Sequence, residues 1–186
     1  MRCDLKTLLK GAVLGGLVFF FWGNISWMVI GWHKSYMLEL PNEEVFSNVI
    51  KQSVPKNGLY VIPYHDGSDH EAAAQKMQEG PFAYMALSPQ GLNMNMLPFM
   101  LRSIFFNMFM AMLATFLLLQ IAEYSFFHKV LFVKMIGLSA GIWTIFSNWN
   151  WWNFPGLYLV INFFDVAIAW GLMGVVLSKF VVKKTV

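Results

Sequence analysis

Four long apolar runs constrain this chain more than any other feature of its sequence. They lie near residues 8–30, 98–121, 130–147 and 157–177. The first has no charged residue after Lys10, and each of the others has one. About 20 apolar residues in a helix cross the hydrocarbon core of a bilayer, so every run is long enough to span a membrane. We therefore expect an all-α membrane protein built as a bundle of four transmembrane helices.

The composition agrees with that expectation. The chain is 58% hydrophobic and 12% charged, whereas soluble domains carry about 25% charged residues. The first run is too long for a cleaved signal peptide and continues through Ile30 without a small-residue cleavage site, so we expect a retained helix. Cys3 is the only cysteine, which excludes an intramolecular disulfide and leaves acylation of its thiol as an alternative.

The boundaries of the runs divide the chain into three parts. Residues 1–32 hold the N-terminus and transmembrane helix 1, residues 33–97 form an inserted α/β domain, and residues 98–186 hold helices 2–4 and a C-terminal tail. Ser68 is followed three residues later by Glu71, a spacing that predicts a helix capped by Ser68 or Asp69. The insert as a whole reads as helix near 41–53, strand near 59–62, helix near 70–80 and strand near 82–87.

Basic residues mark one side of the predicted membrane. They flank the runs at the N-terminus, after the second run and in the C-terminal tail, whereas residues 33–97 contain four Lys and seven acidic residues. Because Lys and Arg accumulate on the cytoplasmic side, we expect both termini in the cytoplasm and an extracytoplasmic insert. The flanking residues are Arg2, Lys6, Lys10, Lys129, Lys179, Lys183 and Lys184.

Asp165 is the most informative single residue, because it lies roughly 12 Å inside the fourth run at 1.5 Å per residue. An ionisable side chain in lipid usually faces the bundle interior and meets a partner there. Arg102 in the second run is the expected partner, and asparagines at similar depth complete a polar layer. Two interpretations stay open: a structural ion pair that fixes helix order, and a pathway for protons or a solute. The asparagines are Asn24, Asn107 and Asn162.

A short polar segment in the insert carries residue types that bind zinc. Two imidazoles and two carboxylates lie within six residues, at His65, Asp66, Asp69 and His70. Their spacing matches no zinc signature, and a turn followed by a helix cap accounts for the same residues. We therefore expect no metal and no other cofactor. His33 is a further candidate ligand if a metal does bind.

No catalytic motif organises the other polar residues. The sequence contains no glycine-rich phosphate loop, nucleophile elbow or His-Glu-x-x-His helix. Its basic residues flank the apolar runs instead of forming a patch for nucleic acid. We therefore expect no nucleic-acid partner, and a protein that is not an enzyme is favoured over one that is.

Small and aromatic residues indicate how the helices pack and where they end. Gly11 with Gly15, and Gly137 with Gly141, form pairs that let helix backbones approach closely. We expect these pairs to serve packing within the chain, with dimerisation as the alternative. Three tryptophans in the connection after the third run fit an aromatic belt, with ligand binding or domain docking as the alternative. They are Trp149, Trp151 and Trp152.

Several short motifs carry a resemblance to a known group of proteins. They are Gly58-Leu59-Tyr60 followed by Pro63, Gly80-Pro81-Phe82-Ala83, Pro89-Gln90-Gly91 and Trp149-Asn150-Trp151. With the layout of one helix, an insert and three helices, the chain resembles small bacterial inner-membrane proteins of uncharacterised function. The resemblance implies a bacterial inner membrane and no particular activity. The layout is also similar to that of claudins, but the insert has no cysteine and no Trp-Gly-Leu-Trp motif, so no claudin function is carried over.

These observations lead to one expected function and two alternatives. We expect an integral membrane interaction protein, an accessory or assembly subunit of a membrane complex, with the lipid bilayer and a protein partner or a second copy of the chain as its partners. The first alternative is a small proton- or solute-translocating protein that uses Asp165 and the asparagine layer. The second is a membrane enzyme with an outer-surface site of His and Asp residues.

Overall fold

The computed structural model describes residues 4–182 and divides the chain into two compact units. The helical unit comprises residues up to Met37 and from Asn95 onward, and the insert unit comprises Leu38–Met94. In chain order the elements are α1 (Leu5–Asn24), α2 (Glu43–Ser53), β1 (Gly58–Ile62), α3 (His70–Glu79), β2 (Ala83–Leu87), α4 (Met96–Leu119), α5 (Phe126–Trp151) and α6 (Gly156–Phe180).

Some residues used in the sequence analysis fall outside the described range. Cys3, on which the acylation alternative rests, is one of them. The others are Arg2, Lys183 and Lys184, which entered the prediction of the cytoplasmic side.

Within the described residues of the helical unit, four helices are long and apolar enough to cross a membrane, as judged by length and composition. Helix α1 packs against α4 and α6, and α5 packs against α6. Small residues at these contacts bring the helices close together. A side chain at Gly11 would overlap Thr115 on α4, and one at Gly137 would overlap Trp170 on α6. The prediction that the glycine pairs serve packing within the chain is therefore confirmed.

The end of α1 departs from a regular helix. Residues Ile25–Ile30 continue α1 as a π-helical turn, in which Gly31 N–H donates to the Ser26 carbonyl at 3.0 Å. Gly31 then takes a left-handed conformation with φ of 67°, which glycine adopts without steric cost. A short 3₁₀-helix, Trp32–Tyr36, follows and packs against α6. The first residues of the predicted insert thus belong to the helical unit.

Basic side chains cap carbonyl groups at the opposite end of the helical unit. The Nζ of Lys10 donates to the carbonyl of Phe180 at 2.8 Å. Lys129 is buried, and its Nζ donates to the carbonyls of Ala122 and Val182 at 3.2 and 2.7 Å. The last carbonyls of a helix lack intrahelical partners and carry the negative end of its dipole, so cations are favourable there. Lys10 and Lys129 therefore lie at one end, which we call the termini end.

The insert unit has the predicted order of helix, strand, helix and strand. Strands β1 and β2 pair antiparallel, with Gly58 opposite Leu87 and Ile62 opposite Ala83. Helix α3 forms the connection between them. Its N-cap is Asp69, whose Oδ1 accepts from the N–H of Ala72 at 2.9 Å. Of the two predicted caps, the structure thus selects Asp69 over Ser68.

Candidate functional site

Asp165 lies at the centre of a polar cluster near the end of the bundle opposite the termini end, which we call the insert end. It is about 14 Å along α6 from Gly156, at 1.5 Å per residue. Its Oδ1 accepts a hydrogen bond from the indole Nε1–H of Trp22 on α1 at 2.7 Å. Its Oδ2 lies 3.6 Å from the Nε2 of His33 in the 3₁₀-helix. The carboxyl group therefore joins α6 to both α1 and the segment that follows it.

His33 is buried within the cluster, with only 1% of its side chain exposed. The Trp27 ring stacks on the imidazole at 4.1 Å between ring centroids. The hydroxyl of Ser26 lies 2.9 Å from Nε2, and the hydroxyl of Tyr36 lies 2.8 Å from Nδ1. Both ring nitrogens are thus engaged, as buried polar groups require.

The cluster extends along α6 to the end of α5. The amide of Asn162 donates to the Tyr36 hydroxyl at 3.3 Å and to the Tyr158 carbonyl at 2.8 Å. The amide of Asn148 on α5 donates to the Tyr158 hydroxyl at 2.9 Å. We call the whole set the His33 cluster: Trp22, Ser26, Trp27, Trp32, His33, Tyr36, Asn148, Tyr158, Asn162 and Asp165.

The surroundings of His33 decide its tautomer and its charge. A proton on Nε2 faces the Asp165 carboxyl group and the Ser26 oxygen, and it leaves Nδ1 free to accept from the Tyr36 hydroxyl, which itself accepts from Asn162. We therefore assign the Nε2–H tautomer. Burial lowers the pKa of His33 below its ordinary value, and the nearby Asp165 opposes that shift without cancelling it. His33 is accordingly neutral at pH 7.

Burial also shifts the pKa of Tyr36, whose hydroxyl faces Nδ1 of His33. Burial raises this pKa above its ordinary value, although the hydrogen bond from Asn162 lowers it. The Tyr36 hydroxyl therefore keeps its proton and remains a donor to His33.

Ser26, His33 and Asp165 have the residue types of a catalytic triad but not its geometry. In a triad the carboxylate binds one imidazole nitrogen and the serine the other. Here Ser26 and Asp165 both approach Nε2, and Nδ1 faces Tyr36. The Ser26 side chain is fully buried and also accepts a hydrogen bond from Trp32 at 2.8 Å. This arrangement locks the end of α1 onto α6, and it does not present a nucleophile.

The predicted pairing of Asp165 with Arg102 is wrong. Arg102 is exposed on α4, where its Nε donates to the Pro98 carbonyl at 3.1 Å and its guanidinium lies 4.8 Å from the centre of the Phe99 ring. The reason is helix order, since α6 meets α1 across a broad contact and touches α4 only slightly. The nearest donors to Asp165 thus come from α1.

The predicted asparagine layer divides into two separate sites. Asn162 belongs to the His33 cluster, whereas Asn24 and Asn107 line a groove between α1 and α4. Asn24 donates to the Phe20 carbonyl at 2.7 Å, and Asn107 donates to the Ser103 hydroxyl at 3.5 Å. The groove encloses about 400 Å³. We call it the α1–α4 groove; it is lined by Phe19, Phe20, Gly23, Asn24, Trp27, Met28, Met96, Phe99, Met100, Ser103 and Asn107.

The candidate metal ligands of the insert serve a turn and a helix cap. The Nδ1 of His65 accepts from Gly67 N–H at 2.9 Å, and Asp66 Oδ1 accepts from Ser68 N–H at 3.0 Å. Hydrogen bonds from the side chain and the backbone N–H of Ser68 hold the pKa of Asp66 below its ordinary value. The rings of His65 and His70 approach edge to face at 5.9 Å. Within residues 4–182, no group of three or more His, Cys, Asp or Glu is arranged to hold a metal ion.

The three connection tryptophans lie at the insert end, where α5 finishes. Trp151 is 72% exposed and Trp149 is 41% exposed, while Trp152 is half-buried. Trp149 contacts Phe146 with ring centroids 5.7 Å apart. Their exposure at a helix end fits the predicted aromatic belt.

Sequence reasoning missed most of the His33 cluster. Asp165 and Asn162 stood out because polar residues are rare in apolar runs, but Trp22, Ser26 and Tyr36 resemble ordinary helix-end residues. Their roles depend on the π-helical turn and on Gly31, which redirect the chain after Ile30. The sequence signal that could have identified these residues is the high density of aromatic and polar side chains at positions 22–36.

The chain matches no protein-family model, no curated protein and no solved structure.

Proposed function

We propose that the protein is an integral membrane protein that acts through protein–protein interactions, as an accessory or assembly subunit of a membrane complex. In this proposal α1, α4, α5 and α6 cross the bilayer, both termini are cytoplasmic and the insert unit is extracytoplasmic. The resemblance noted above favours a bacterial inner membrane. The lipid bilayer and a protein are the partners, and no nucleic acid is involved.

The α1–α4 groove is the observation that carries this proposal. It brings amide and hydroxyl side chains to the surface of two predominantly apolar helices, with Asn24, Ser103 and Asn107 among its lining residues. Polar side chains in contact with lipid are costly and usually meet another helix. A groove of this composition is therefore suited to a protein that binds within the membrane.

The His33 cluster supports an interaction role over translocation. Asp165, the candidate group for carrying protons, is held by Trp22 and lies beside His33, whose two ring nitrogens are already engaged. These bonds tie α6 to α1 and stabilise one arrangement of helices. Such a cluster acts as a rigid support for the surface groove.

Site-specific photo-crosslinking in cell membranes tests the proposal. Met100 in the groove and Leu172 on α6 are both 43% exposed, so a photo-reactive residue at Leu172 is a matched control. We expect protein adducts from position 100 and only lipid adducts from position 172. Lipid adducts alone at position 100, or equal protein adducts at both positions, would contradict the proposal.

A further inference from the structure

Two amides in the α1–α4 groove have hydrogen-bonding capacity left over. Asn24 donates to a carbonyl of its own helix, and Asn107 donates to the Ser103 hydroxyl of its own helix. An amide side chain has two donor hydrogens and a carbonyl oxygen with two lone pairs. These local bonds use one donor of each amide, so the groove offers both donors and acceptors to an incoming helix.

The depth of Asn107 makes its remaining capacity matter. It lies 11 residues after Met96, the first residue of α4, which is about 16 Å at 1.5 Å per residue. The hydrocarbon core is about 30 Å thick, so Asn107 reaches the middle of the bilayer if α4 spans it. Water does not satisfy an amide there, and a protein group must do so.

A second copy of the chain supplies a matching group at the same depth. Two copies inserted in the same direction are related by a two-fold axis perpendicular to the membrane, so each residue lies level with its counterpart. An amide is both donor and acceptor, and Asn107 can therefore pair with Asn107 of the second copy. A different protein would need a polar side chain placed at this depth by its own sequence.

The shape of the groove permits such an approach. Gly23 is one of its lining residues, and no atom comes within 4 Å of the position where a side chain would begin. Phe99 lines the groove, is 42% exposed and supplies a large ring to fill the open space of a facing copy. Arg102 donates to the Pro98 carbonyl, about one helical turn nearer the insert end, a direction in which a long side chain carries its charge toward a membrane surface.

We infer that the α1–α4 groove binds the same groove of a second copy, so that the protein forms a two-fold dimer in the membrane with Asn107 at its centre. This inference rests on the proposed function and names the partner of the groove. Membrane amide pairs contribute modestly, and loss of a symmetric pair is expected to weaken the dimer about 5- to 30-fold.

Dimer formation can be measured by energy transfer between labelled full-length chains in phosphatidylcholine vesicles at decreasing protein-to-lipid ratios. Asn107→Leu is expected to raise the dissociation constant, and Asn107→Gln to restore most of the affinity. Gln120→Leu is the control. Gln120 directly follows the last residue of α4, is an exposed amide that donates to the Phe116 carbonyl, and does not line the groove. A melting temperature of Asn107→Leu equal to that of the wild type would show that the variant folds.

Three other outcomes would overturn the inference, and the last of them would also overturn the proposed function. If the wild type forms a dimer and Asn107→Leu leaves its dissociation constant unchanged, the dimer forms through another face and the inference is wrong. A monomeric wild type with adducts to a different protein at position 100 overturns the second copy as the partner but leaves the proposed function standing. A monomeric wild type with lipid adducts alone at that position overturns both.

Discussion

The indole of Trp22 donates a hydrogen bond to the carboxyl group of Asp165 at 2.7 Å. The two residues are 143 positions apart in the chain, and the bond joins the first long helix to the last. Because an indole only donates and a carboxyl group readily accepts, the pair is complementary. His33 lies beside the same carboxyl group. This contact, and not an ion pair with Arg102, anchors the polar part of the bundle.

Replacing Asp165 with Leu is expected to destabilise the protein by about 1–3 kcal/mol, because the indole N–H of Trp22 loses its acceptor in a partly buried place. Asp165→Asn keeps a carbonyl oxygen in that place and is expected to be milder. Thermal melts in mild detergent measure both. Trp22→Phe combined with Asp165→Leu should cost less than the sum of the single changes, whereas Arg102→Gln should add independently to Asp165→Leu. A coupling between Arg102 and Asp165 would contradict the structure.

The stability of the helical unit is expected to fall in acid through His33. Burial lowers the pKa of His33 below its ordinary 6.5, so below that pH the unfolded chain binds a proton that the folded chain resists. The contribution is fully present above pH 6.5 and decreases as the pH falls below it. Melting temperatures between about pH 7.5 and pH 5 measure the effect, and His33→Gln should flatten the dependence. An unchanged slope in that variant would assign the effect to other groups.

Substitutions in the insert unit test whether Asp69 is the N-cap of α3. Asp69→Ala is expected to destabilise α3 by about 1 kcal/mol because the N–H of Ala72 loses its acceptor. Ser68→Ala should have a smaller effect, since Ser68 precedes the N-cap. Hydrogen exchange of the amides in residues 72–79 of the full-length protein reports the difference. A larger loss of protection in Ser68→Ala than in Asp69→Ala would contradict Asp69 as the N-cap and favour a capping box centred on Ser68.

Gly137→Ala is expected to destabilise the contact between α5 and α6 by about 1–3 kcal/mol, because a methyl group there overlaps the Trp170 ring. Gly171→Ala on α6 is the control. The nearest atom to its added methyl group is 3.9 Å away, and alanine favours a helix over glycine. Detergent melts should therefore separate the two variants, and a neutral Gly137→Ala would contradict the packing described.

Reporter fusions test the orientation that we propose. A reporter placed after Lys56 is expected to be active outside the cytoplasm, and one placed after Val186 inside it. The reason is the bias of Lys and Arg toward both termini and Lys129. A C-terminus outside the cytoplasm would exclude four crossings with a cytoplasmic N-terminus.

Local signals explain why much of the fold followed from the sequence. Apolar runs of about 20 residues are sufficient to predict helices, since length and composition act through neighbours along the chain. The strand near 59–62 and the helix near 70–80 were bounded by Pro63, Gly80 and a capping residue, which act within a few positions. Glycine pairs likewise predicted close helix contacts before their partners, such as Trp170, were known.

The partners of polar residues were decided only by the tertiary structure. By composition Arg102 was a reasonable partner for Asp165, but a charge contacts what the neighbouring helix presents, and α6 packs on α1 more than on α4. The π-helical turn at Ile25–Ile30 and the conformation of Gly31 brought His33 to Asp165. The sequence by itself determined which segments are helices, because that depends on nearby residues. Only the three-dimensional packing determined which side chains meet, because that depends on helix order and rotation across the whole chain.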